Sequence, residues 1–370
     1  MTVKFFIFLL LLLTSWSLTS VVEARSFCGP KNKSANLEKL VQEADVIVVG
    51  QVLTIDQLEE TTYLENGFNI EGYRHHATFH IDRVVHTPSE LQMKDRLEFD
   101  YFRSSIPNQF HRIGEGELGM YFFQLKPDGV LTVANPRYVF IPALPLLPEE
   151  IEQKLSQAQH PFEKVQIELL ALLVHSTQTE PRKDALDLLQ QVENPEINAT
   201  CHSLLKKAEG PLYQWLLHTL IWREDLSVLE AAVASVLRPI SNEEHGYVTG
   251  RLCGAIRSKV NDINLLPIIL PLLESPDVTP REAGYFAIRE MQNKRCIPYL
   301  LQAVRDPDKQ IRFHGALGLS VMTEQYKWYP GGDDWVNNDR KITDYWIAWG
   351  EKYLRRTKKE PGHSPSLDSF

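Results

Sequence analysis

The sequence contains a near-copy of itself at an offset of 31 residues. Leu266-Pro267-Ile268-Ile269-Leu270-Pro271-Leu272-Leu273-Glu274-Ser275-Pro276-Asp277 aligns with Ile297-Pro298-Tyr299-Leu300-Leu301-Gln302-Ala303-Val304-Arg305-Asp306-Pro307-Asp308. The match continues with Arg281 on Arg312, Gly284 on Gly315 and Ile288 on Leu319. Each copy reads as an apolar helix, a Pro-Asp turn, and a second helix whose small residue permits close packing. One such pair cannot bury its own apolar face, so neighbouring units must stack. The repeat is clear over residues 265–322. Upstream, residues 229–257 hold a degenerate copy and residues 162–208 further helices. Val165, Leu169, Leu172 and Leu173 form one stripe of a helix over residues 163–174, and residues 226–237 repeat that spacing. Tyr345-Trp346-Ile347-Ala348-Trp349-Gly350 reads as an aromatic cap on the last unit.

Before Pro142 the period changes from helical to extended. A short helix over residues 36–43 precedes Val46-Ile47-Val48-Val49-Gly50-Gln51-Val52-Leu53, a β-branched run suited to a buried strand. Residues 76–85 alternate. Ala77, Phe79, Ile81, Arg83 and Val85 point one way, and His76, Thr78, His80, Asp82 and Val84 the other. Residues 97–102, 119–125 and 130–134 give three more strands, the last two joined by the turn Lys126-Pro127-Asp128-Gly129. Five strands with few helices suit a small barrel or sandwich. The prolines at 142, 145 and 148 mark the boundary. The expected class is α+β multidomain, with a signal segment (residues 1–24), a β-barrel domain (25–142), a Pro-rich linker (143–160), a helical array (161–354) and a disordered tail (355–370).

The first residues bear on location. Lys4, then nine apolar residues from Phe5 to Leu13, then Val22-Glu23-Ala24, fit a secretory signal cut after Ala24. The apolar run is shorter than the roughly 20 residues of a membrane span, so an uncleaved anchor is the alternative reading. No later stretch is long enough to cross a bilayer, and the expected location is secreted or periplasmic. An oxidising compartment permits disulfides. Cys28, Cys201, Cys253 and Cys296 allow three pairings, and buried free thiols or one structural bridge are both open. Asn32 and Asn198 match glycosylation acceptors. The formal net charge of -9 argues against nucleic acid as a partner. Residues 25–150, with 12 basic and 18 acidic side chains, carry two thirds of that charge, and such a module favours basic partners or cations.

The 31-residue unit resembles HEAT repeats, specifically the short bacterial units also seen in phycobilin-lyase-type proteins. That resemblance implies a helical solenoid with a partner-binding surface. The β half, with Cys28 near the mature N-terminus, the run from Ala44 to Val52, the strand over residues 76–85 and Gly119-Met120-Tyr121-Phe122-Phe123-Gln124-Leu125, resembles netrin-like and tissue-inhibitor-of-metalloproteinases-like domains. The implied fold is a five-stranded OB-like barrel. The inhibitors of that family chelate zinc through an N-terminal Cys, whereas Cys28 follows Arg25-Ser26-Phe27.

No nucleophile elbow, zinc-protease or phosphate-loop motif is present, so no catalytic residue or cofactor is assigned. Gly114-Glu115-Gly116-Glu117-Leu118-Gly119 precedes a strand and reads as a hairpin loop. His76, His80 and Asp82, beside His75 and with His86 or His111 in reach, are the metal candidates, and a solvated polar sheet face is the other reading. Asp333-Asp334-Trp335-Val336-Asn337-Asn338-Asp339 reads as a turn with helix-capping side chains. Tyr213, Trp215 and Trp222 read as packing aromatics. The expected function is an exported, non-enzymatic scaffold that binds a protein partner through the helical array. The alternatives are a metalloprotease-inhibitor-like module and a lyase-type enzyme or accessory.

Overall fold

The computed structural model describes residues 37–65, 68–105, 113–135, 140–239 and 243–359. The expected signal segment, Cys28, Asn32, His111 and residues 360–370 lie outside them. The fold is α+β: a strand-rich N-terminal part, then a long series of helices.

Helix α1 (Leu37–Glu43) leads into β1 (Val46–Glu65), which forms a long hairpin with β2 (Phe68–His86). Then come β3 (Arg96–Ser104), β4 (Leu118–Leu125), β5 (Leu131–Val133) and β6 (Phe140–Pro142). The sheet order is β1-β2-β3-β5-β4-β6, and β1 also pairs with β4. Strand β1 thus has two partners over residues 47–51, with Ile47 opposite His86 on one side and Phe122 on the other. Gly50 makes this possible. A Cβ there would lie 2.0 Å from the His80 carbonyl oxygen, so only glycine admits the approach. A register shift falls beside it, between Val49 and Gly50.

The start of β1 (residues 46–50) and the middle of β4 are buried on both faces. Val46, Val48, Tyr121 and Phe123 join Phe79, Phe99 and Tyr101 in an aromatic cluster on one side. Ile47, Val49, Met120 and Phe122 face the helices on the other and belong to the same apolar core as Val165, Leu169 and Leu173. The two parts therefore share a core. The segment expected as a linker, residues 143–160, is no spacer: it holds α2 (Glu149–Gln157), which buries Ile151 and packs on α3 (Pro161–His175). Its glutamate-rich sequence hides a helix with a single buried anchor. At the junction, Arg83 of β2 grips Glu168 of α3 through two bonds of 2.7 and 2.6 Å and donates to the Leu144 carbonyl at 3.0 Å.

The helices that follow pack on their neighbours, and alternate ones stack into a row. They are α4 (Thr179–Leu189), α5 (Pro195–Leu205), α6 (Gly210–Trp222), α7 (Leu229–Val236), α8 (Glu243–Lys259), α9 (Leu266–Ile269, extended by a 3₁₀ turn to Glu274), α10 (Val278–Glu290), α11 (Ile297–Ala303), α12 (Lys309–Met322) and α13 (Gly332–Lys359). Helices α4, α6, α8, α10, α12 and α13 touch in sequence and form one row. The repeat has a physical basis at its arginines. Arg281 donates to the Ser275 and Pro276 carbonyls and reaches Asp306 of the next unit at 2.8 Å. Arg312 does the same to the Asp306 and Pro307 carbonyls and to Asp339, at 3.1 Å. Asp339, expected in a capping turn, instead takes the last place in this series. That segment opens α13, which breaks from helical geometry at Asn338. The helix runs to Lys359, past the expected start of the tail at residue 355.

Candidate functional site

The residues singled out as metal ligands do not converge. Strand pairing sets His76 opposite Asp100, and Nδ1 lies 2.9 Å from Oδ1. Arg74 holds the same carboxylate at 2.6 Å. His80 sits four residues on, with Nδ1 at 3.1 Å from the Asp95 carbonyl and Nε2 at 3.7 Å from Asp82. His75 points to the other face, stacked on Tyr101 with ring centroids 5.1 Å apart. Among the described residues no three His, Cys, Asp or Glu side chains are placed to hold an ion. Cys201, Cys253 and Cys296 are buried free thiols, and burial pushes Cys201 and Cys253 up to about 12. Asn198 lies in α5, where its amide engages Arg223 and Asp225. An acceptor asparagine normally sits in an open surface loop.

A different constellation forms where α4, α6 and α8 meet. Gly246, Gly250 and Gly254 recur at a spacing of four on α8, which puts them on one helix face. They clear a channel of about 12 Å along the helix axis. A Cβ added at Gly250 or Gly254 would meet nothing within 4 Å. The walls are Gln190 of α4, His218 and Trp222 of α6, and Tyr247, Arg251 and Ser258 of α8, around a cavity of about 480 Å³.

Three polar atoms in these walls have no partner. His218 is 3% exposed with Nδ1 unbonded, Gln190 is 6% exposed with Oε1 unbonded, and Arg251 Nε is buried and unbonded. Burial, helped by the Arg251 charge, pushes His218 down to about 3, so its ring is neutral. The charges around the groove answer one another. Arg251 pairs with Asp187 at 3.1 Å, Lys183 with Glu180 at 2.9 Å and Lys259 with Glu224 at 2.9 Å. Burial pushes Asp184 up to about 6 and raises Asp187 as well.

Beyond the groove the same helix row carries alternating cations and rings. Arg251 lies 5.5 Å from the Trp215 ring centre and Lys259 5.6 Å from that of Trp222. Arg257 and Arg289 approach Phe286 at 4.7 and 4.0 Å. Arg289 bonds His314 at 2.9 Å, and Phe313 meets Trp335 edge-on at 5.5 Å. Such an arrangement suits recognition, since aromatic and guanidinium groups bind without chemistry of their own. Of the three aromatics read as packing residues, Trp215 is buried, whereas Trp222 lines this groove and Tyr213 a neighbouring cleft beside His245. The glycines, His218, Gln190 and Arg251 were not anticipated. The every-fourth-residue glycine spacing was the available signal. No family model matches the chain, and neither does any curated protein or solved structure.

Proposed function

We propose that this is an exported, non-enzymatic interaction protein: an OB-like β-barrel joined to a HEAT-like solenoid that holds a protein partner along its second-helix row. The barrel reading is supported by strand pairings that run β1–β2–β3–β5–β4 and return to β1. The solenoid reading is supported by the row of stacked alternate helices and the arginine links between successive units. Export rests on the N-terminal sequence.

The observation that carries the function is the line of cation–aromatic pairs from Trp215 to Phe286, continuous with an open groove. Half-buried rings and guanidinium groups such as Trp222, Phe286 and Arg257 on a rigid helix row are the kind of anchor that dominates protein interfaces. The test is capture from the exported fraction, at near-physiological salt, on the immobilised full chain. The native chain retains a partner, and the charge-reversed variant Arg257→Glu/Lys259→Glu, with unchanged circular dichroism, loses it. Retention of nothing, or equal retention by both, overturns the proposal.

A further inference from the structure

Resting on the reading of the second-helix row as a partner-binding face, we propose that the groove over α8 is a main-chain site. It takes an extended, uncharged peptide segment of three to four residues, with small side chains turned toward Gly246, Gly250 and Gly254.

Length is the first argument. A channel of about 12 Å accommodates three to four residues at roughly 3.3 Å each. The floor is the second. With no Cβ at Gly250 or Gly254 and nothing within 4 Å of where one would be, a second backbone can lie close against the helix.

Hydrogen bonding is the third argument. The groove's lining residues hold an unanswered donor, Arg251 Nε, an unanswered acceptor, Gln190 Oε1, and a neutral ring, His218, with Nδ1 unbonded, all three atoms shielded from water. A peptide group presents one carbonyl and one N–H, so successive peptide groups supply the missing partners for both kinds. Charge then excludes the other occupants. Each cation at the rim already has its carboxylate, Asp187 for Arg251, Glu224 for Lys259 and Glu180 for Lys183. No charge is left over for an anionic ligand. A flat aromatic ligand finds His218 and Trp222 already stacked on one another, 6.0 Å apart at 24°.

The probes are three pools of acetyl-capped, amidated tetrapeptides: one of Gly, Ala, Ser and Thr; the same pool N-methylated at its amides; and one containing Asp and Glu. Binding to the full chain is followed by the Arg251 Nε–H and Trp222 indole resonances. The neutral pool shifts both saturably. N-methylation weakens it about tenfold or more, as loss of a buried hydrogen bond should. Gly250→Leu, which projects into open space and melts no lower than the native chain, abolishes it. Tighter binding by the acidic pool, equal binding by the N-methylated pool, or no shift from the neutral pool overturns the inference. Partner capture separates it from the broader reading. If Arg257→Glu/Lys259→Glu loses the partner and Gly250→Leu keeps it, only the groove inference falls. If neither variant loses it, both readings fall.

Discussion

Arg83 and Glu168 show how much one pair can determine. Glu168 has a side chain 1% exposed in a mostly apolar helix, and Arg83 enters from a strand 85 residues earlier. A charge so placed is tolerated only while its partner is present. Arg83→Met should therefore cost about 3 kcal/mol or more in urea unfolding, and adding Glu168→Leu should restore most of it. An additive double variant would show that the pair does not act as a unit. Asp184 makes a different prediction. Burial, with Lys183 opposing and Glu180 and Asp187 adding to it, holds its folded-state value at about 6, above the ordinary 3.8. The folded chain thus binds a proton that the unfolded chain has released. The contribution is fully present below 3.8 and is lost as pH rises through 6. Relative to Asp184→Asn, the native chain should lose stability between those values, read as a falling urea midpoint. A difference independent of pH would refute this assignment.

At the scale of elements, glycines divide into two kinds that respond oppositely to the same change. Gly315 sits where α12 crosses α11, and a Cβ would come within 2.8 Å of the Val304 nitrogen and of the Ala303 Cβ. Gly315→Ala should destabilise by about 1–3 kcal/mol, as overpacking does. Gly250→Ala meets open space and should stabilise α8 by about 0.5–1 kcal/mol, because glycine in mid-helix is entropically costly. Thermal melts of the two variants, moving in opposite directions, would check both. Three helices end on a non-glycine residue in left-handed conformation: Glu224, Gln292 and Glu324, at φ of 65°, 45° and 56°. Each should gain up to about 1 kcal/mol on replacement by glycine, measured as a raised Tm. Helices and their stacking partners were legible because Leu and Ile recur at helical spacing and because the 31-residue copy brings its own arginines. The outer part of β1 was not, since residues 56–62 are exposed on both faces and leave no alternating apolar pattern. Helix α2 was masked by its glutamates and the prolines before it. The groove needed three helices to meet, so only its glycine floor had a trace in the order of residues.

For the whole molecule, the shared core decides how it unfolds. Ile47, Met120 and Phe122 of the sheet belong to the same core as Leu169 and Leu173 of α3. The two parts should melt together, with the fluorescence of the described tryptophans, all of which lie in the helical part, and far-UV circular dichroism giving one coincident transition. Two resolved transitions would mean that the interface contributes little. The shared core also bears on how the chain is made. Synthesis delivers the strands before every described helix but α1, so through much of translation Ile47, Val49, Val85 and Phe122 lack the cover of α3. Not until α3 has emerged can that side of the sheet become dry, and the nascent strands need shielding until then.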